Sequence, residues 1–129
     1  MRFGVGLAAA LAFSFAAAAL PLHSARAADA AAAGKALFHQ RCAICHSDQK
    51  GVNKIGPSLF GVVGRPAGSE PGYNYSEANK KSGIVWTPDK LEAYIAAPQK
   101  VVPGTKMGFA GLPSEGQCSA LIAYLSTLH

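Results

Sequence analysis

Apolar residues recur at helical spacing in several stretches of this chain, and nowhere at the alternation that marks a half-buried strand. The stretch ADAAAAGKALFHQRC predicts a helix from about Ala30 to Arg41, with Asp29 as its N-cap. Gly34 falls inside it, where glycine costs roughly 1 kcal/mol against alanine, which implies that another backbone or ring passes close by. SEANKK, residues 76–81, predicts a short helix opened by Ser76. TPDKLEAYIAAP predicts a third, with Thr87 as cap, Pro88 at the first helical position and Pro98 as the stop. Leu91, Tyr94 and Ile95 give it one buried face. In PSEGQCSALIAYLSTLH, Ser114 and Gln117 form a capping box, and Cys118, Leu121, Ile122, Leu125 and Leu128 form the apolar stripe of a last helix. Long segments rich in Gly and Pro run between these helices, and such loops in a small domain usually wrap something functional. The pattern predicts an all-α fold.

The first 27 residues follow another pattern. Arg2 precedes an almost wholly apolar run from Phe3 to Leu22, and small residues follow at Ala25 and Ala27. That order marks a secretory signal peptide, with cleavage expected after Ala27. An uncleaved anchor is the alternative, since about twenty apolar residues span a bilayer. Cleavage is favoured because the next helical pattern starts at Asp29, leaving no linker to hold a domain off a membrane. The mature chain, residues 28–129, is then one periplasmic domain, expected to be monomeric and not inserted in the membrane. The whole chain carries 12 Lys and Arg against 7 Asp and Glu, a formal net charge of +5. Losing Arg2 and Arg26 with the leader lowers it to +3, too little to argue for nucleic acid. A chain this short buries a modest core, and a large apolar cofactor at its centre would supply much of what is missing.

The chemistry concentrates in RCAICHSDQKG, residues 41–51. Cys42, Cys45 and His46 are compatible with a zinc half-site, a dithiol redox pair or a haem attachment site. Zinc wants four ligands, and no second Cys or His cluster follows at suitable spacing. A thioredoxin-type dithiol wants a strand-to-helix junction, and no strands are visible. Haem uses every residue in place: Cys42 and Cys45 add across the two vinyl groups of one macrocycle, and His46 is held under the iron as axial ligand.

The sixth iron ligand separates a carrier from a catalyst. Once the leader is removed, Met107 is the last methionine, in the loop PGTKMGF pinned by Pro103 and Gly104. A thioether among glycines and a lysine is poorly placed to fill a core, so Met107 is assigned to the iron. His39 is expected to face solvent, and His129 is the C-terminal residue.

Five segments in order, CAICH, GPSLFGVVGR, PGYNYSEANKKSGIVW, LEAYIAAPQKVVPGTKMGFAGL and LIAYL, span essentially the whole mature chain. In these the sequence resembles the class I cytochromes c, mitochondrial and α-proteobacterial alike. The resemblance implies a fold in which the first and last helices cross and short helices and loops wrap one haem c. It implies that Pro57 offers its carbonyl to the ring N–H of His46. Arg65, Tyr75 and Trp86 match the residues that hold the haem propionates. Asn79, Tyr94 and Thr105 match the polar residues around the methionine sulfur, and Phe109 the aromatic beside the haem edge. Gly34 and Phe38 match the helix crossing, against Leu121 and Tyr124. Trp86 and Tyr94 are also readable as plain core residues, since a large buried ring is usually that.

The function this implies is one-electron transfer, not enzymatic catalysis, with redox proteins as partners. Quinol–cytochrome c reductase, a terminal oxidase, a photosynthetic reaction centre and a periplasmic dehydrogenase all fit. Docking is expected through a basic rim drawn from Arg41, Lys50, Lys54, Lys80, Lys81, Lys100 and Lys106. The rival is a haem-based sensor or peroxidase-like module in which Met107 leaves the iron. Cys118 departs from the resemblance: it is expected to be a partly buried small hydrophobe, the alternative being an exposed thiol that forms dimers.

Overall fold

The computed structural model describes Met1 and residues 22–129; the apolar run from Phe3 to Pro21 lies outside the described residues. Five helices follow one another: α1 (Leu22–Arg41), α2 (Glu77–Lys81), α3 (Pro88–Ala96), α4 (Pro98–Val101) and α5 (Glu115–Leu125). Among the described residues there is no sheet, only an isolated antiparallel bridge between Pro66 and Val85. The fold is the all-α one that the apolar spacing predicts.

The crossing of α1 over α5 organises the molecule. A Cβ on Gly34 would stand 1.9 Å from the carbonyl oxygen of Ala120 and 2.8 Å from Tyr124 Cβ, so only glycine lets the two backbones meet. One turn on, Phe38 is 1% exposed, with its ring centroid 5.7 Å from that of Tyr124. Tyr124 then donates its hydroxyl to Asp48 Oδ2 at 2.6 Å, tying α5 to the loop that follows α1. Leu121, Ile122 and Leu125 complete the core with Leu91 and Ile95 of α3.

The caps explain the short helices. Ser76 Oγ accepts from Asn79 N, Thr87 Oγ1 from Lys90 N, and Ser114 Oγ from Gln117 N. Pro98 both stops α3 and opens α4, because it has no N–H to give the preceding turn but fits a first helical position. Gly111 (φ 109°) lets the chain turn back beneath α3, where Leu112 N donates to Ile95 O at 3.0 Å.

Four expectations are corrected. Helix α1 begins at Leu22, not at an Asp29 cap, and Asp29 is exposed inside it. Alanines dominate residues 25–33, so nothing local breaks the helix while the leader is attached. The capping box at α5 is half made: Ser114 caps, but no reciprocal bond from the Gln117 side chain forms among the described residues. Leu128 lies past the end of α5, half-buried in a closing turn whose Leu128 carbonyl accepts from Gly61 N at 2.6 Å. Cys118 is buried more deeply than expected, 1% exposed, with its thiol donating to Leu112 O at 3.6 Å.

Candidate functional site

Past the end of α1 the chain makes one tight turn. Cys42 N donates to Phe38 O at 2.8 Å, Cys45 N to Cys42 O at 3.0 Å, and His46 N to Cys42 O at 2.8 Å. The turn puts Cys42, Cys45 and His46 on the wall of one cavity. Burial is the main cause that pushes the Cys42 thiol up to about 11, outweighing the opposite pull of Arg41, with Cys45 adding to the rise. Among the described residues no group of three or more His, Cys, Asp or Glu side chains could hold a metal ion, so the zinc reading finds no further ligands.

His46 is fixed by its neighbours. Its Nδ1–H donates to Pro57 O at 2.8 Å, and since a carbonyl only accepts, Nε2 keeps its lone pair. Burial, the largest cause, lowers the His46 pKa; the Pro57 bond works the other way and Lys54 adds to the lowering. Burial thus favours the neutral ring, the form that binds a metal. Gly56 makes room for it: a Cβ there would stand 2.4 Å from His46 Cε1.

The loop 102–109 supplies the other wall. Asn79 Nδ2 donates to Thr105 Oγ1 at 3.1 Å and Met107 N does so at 3.3 Å, occupying both lone pairs of that oxygen. Tyr94 Oη, also on the cavity wall, shares a hydrogen bond with the Thr105 hydroxyl at 2.7 Å. Gln99 Nε2 holds Thr105 O at 3.1 Å. Met107 is half-buried on the same cavity wall.

The cavity measures about 540 Å³, within the range of small-molecule and cofactor sites. Leu91, Ile95, Leu121 and Leu125 give it an apolar floor. One corner is polar. There Arg65 Nη1 donates to Phe60 O at 3.1 Å and pairs with Glu70, and Nη2 donates to Ser58 O at 2.9 Å. Arg65 Nε is buried with no partner, alone in this among the described residues. Tyr75 accepts from Glu70 N at 3.2 Å, and burial raises its phenol pKa. Trp86 packs against Tyr94, ring centroids 4.8 Å apart.

These features fit a haem: apolar walls, two thiols at one edge, a bare imidazole nitrogen, and an orphaned guanidinium N–H where a carboxylate would sit. Every residue expected from the sequence to touch it, namely Cys42, Cys45, His46, Pro57, Arg65, Tyr75, Asn79, Trp86, Tyr94, Thr105, Met107 and Phe109, lines this one cavity. Sequence reasoning missed four others. Gly56 and Glu70 act through His46 and Arg65, and only the geometry reveals them. Ile44 and Ile55 line the cavity yet are 77% and 75% exposed; Ile44 is legible as an isoleucine inside the Cys-x-x-Cys-His motif, while Ile55 joins it only through the fold.

Such a site defines a c-type haem protein. The family model described as "Cytochrome c" matches residues 31–129. Cytochrome c2 of Rhodopila globiformis is 66% identical over 95 residues, 74% of this chain and 90% of that protein. Cytochrome c2 of Agrobacterium tumefaciens is 48% identical over 98 residues, 73% of this chain and 87% of that protein. The solved structure of cytochrome cH from Methylobacterium extorquens superposes with a TM-score of 0.71 at 46% identity, covering 75% of this chain and 97% of that one. The chain belongs to the cytochrome c family, electron carriers with covalently attached haem c, and has the fold of its class I members.

Proposed function

We propose that this chain is a periplasmic one-electron carrier, not an enzyme, whose haem is held by Cys42 and Cys45 and ligated by His46 and Met107. The bound group supplies the reversible exchange of one electron between ferric and ferrous iron. The residues do the rest. The bond from His46 Nδ1–H to Pro57 O orients the imidazole and raises its basicity. Thr105, tied to Asn79, Tyr94 and the Met107 amide, holds the thioether side of the cavity in place. Arg65, Tyr75 and Trp86 receive the propionates, with Arg65 Nε as the donor still to be satisfied. Phe109 closes the cavity beside the haem edge.

The observation that carries this reading is the pairing of His46, its Nδ1 held by Pro57 O, with Met107, its amide held by Thr105, on the walls of one apolar cavity beside Cys42 and Cys45. A closed iron leaves no position for a substrate. The sensor or peroxidase reading needs Met107 to leave, and the bonds at Thr105 and Gln99 oppose that. Export with cleavage after Ala27 is supported by the exposure of residues 24–29 of α1 on either side of the expected cut.

The partner is a redox protein with an acidic docking face, among them a quinol–cytochrome c reductase, a terminal oxidase, a reaction centre or a dehydrogenase. Arg41 and Lys106 stand at the cavity wall, and Ile44 and Ile55 project between cavity and solvent. Charge steers the encounter and the apolar pair gives close contact where the electron crosses.

The test is an absorption spectrum of the haem-loaded protein, ferric and ferrous, with and without carbon monoxide. Wild type is expected to show a thioether-to-iron band in the ferric form and to exclude carbon monoxide from the ferrous form. Met107→Ala is expected to lose the band and bind the gas. A wild type that binds carbon monoxide readily restores the sensor or peroxidase reading.

A further inference from the structure

We infer that Glu70 tunes the reduction potential of the bound haem by cancelling the charge of Arg65, holding the potential below the value Arg65 alone would set. The inference rests on the haem-carrier reading above and adds to it a residue that makes no contact with the cavity.

The argument begins with what the guanidinium already has. Phe60 O and Ser58 O accept from its two terminal nitrogens at 3.1 and 2.9 Å, so backbone carbonyls alone hold Arg65 in place. Glu70 joins on Nη1, the side away from the unpartnered Nε. The two side chains are 15% and 9% exposed, so the pair is screened by little water. Bringing a carboxylate into such a corner costs desolvation free energy, which its partner repays only in part. The same corner is where the haem carboxylates belong, so a third carboxylate beside them adds like-charge repulsion. Local geometry does not demand it.

The sign of the effect follows from charge. Ferric iron carries one more positive charge than ferrous. A lone Arg65 cation disfavours the ferric state and raises the potential; a paired Arg65 does so far less. Glu70 therefore lowers the potential and leaves the buried Nε–H as the unpartnered edge of the guanidinium. A purely structural Glu70 predicts the reverse: freeing Arg65 to swing away would remove a cation and lower the potential.

The experiment is a redox titration of the haem-loaded protein, followed by its visible spectrum, for wild type, Glu70→Gln and Glu70→Asp. At a fixed solution poise, Glu70→Gln is expected to raise the ferrous-to-ferric ratio by roughly three- to tenfold, the size of one charge acting at an effective ε of about 20. Tenfold corresponds to about 59 mV for a one-electron couple. Glu70→Asp, which keeps the charge, is expected to stay close to wild type. An unchanged or lowered ratio in Glu70→Gln overturns the inference, as does an equal shift in both variants, which would mean altered packing. Loss of the ligand band in the spectra would instead count against the haem ligation, a separate failure.

Discussion

At the scale of single residues, His46 illustrates how much of a site can rest on a side chain that is missing. Gly56 has no positive φ to justify it; what it supplies is absence, since a methyl group there would meet the imidazole at 2.4 Å. Gly56→Ala is expected to destabilise the haem-loaded protein by about 1–3 kcal/mol, the usual cost of overpacking. Gly116→Ala, exposed on α5 with its nearest neighbour, Ser114 Oγ, 4.0 Å from the added carbon, serves as the control and should be no less stable than wild type. Guanidinium unfolding of the two variants checks this, and equal stabilities would show that the loop simply yields. The proposed ligands could be picked out in the sequence, because Cys-x-x-Cys-His and a methionine in a Gly-rich loop carry their chemistry in their residue types, and the fold brings them to one cavity. Glu70 was not, because nothing in its neighbourhood along the chain says that it folds back onto Arg65.

At the scale of elements, the caps and the proline stops were readable because each depends on a few adjacent residues. The start of α1 was not. An Ala-rich helix has no intrinsic beginning, and Asp29 caps it only if the chain is cut nearby. The crossing of α1 and α5 was half readable: Gly34 signalled a close approach, and the family resemblance alone said to what. Gly34→Ala gains helix propensity of about 1 kcal/mol. It also drives a methyl group to 1.9 Å from Ala120 O, so the helices must part. The second effect should win, and thermal unfolding of the haem-loaded variant should show a Tm lower by at least several degrees. A raised Tm would mean that α1 can slide at no cost.

At the scale of the whole molecule, the bond from Tyr124 to Asp48 joins residues far apart in the chain and locks the last helix to the loop after the haem-attachment motif. Burial first, and then the bond to Asp48 and its charge, push the Tyr124 phenol from 10.0 up to about 12. A raised folded value means that the fold favours the protonated phenol. Its contribution is fully present below pH 10 and is lost as pH rises towards 12. Tyr124→Phe should cost about 1–3 kcal/mol at neutral pH, the worth of a hydrogen bond to a charged group. It should also lose less stability than wild type between pH 10 and 12. Denaturant unfolding at pH 7, 10 and 11.5 tests both expectations, and parallel pH profiles for the two proteins would refute the second. Neither Tyr124 nor Asp48 carries any local mark of this pairing, which is why only the folded chain reveals it.

The 540 Å³ cavity has a consequence for the life history of the chain. At about 24 cal/mol for each Å³ of void, a hollow that large would cost on the order of 13 kcal/mol, as much as the whole stability of a typical domain. Even a third of that, allowing for its open mouth, is about 4 kcal/mol, a large share of a small domain's stability. The prosthetic group would then serve as the missing centre of the core as well as the seat of redox chemistry, and the loaded chain should survive added protease longer than the same chain before attachment.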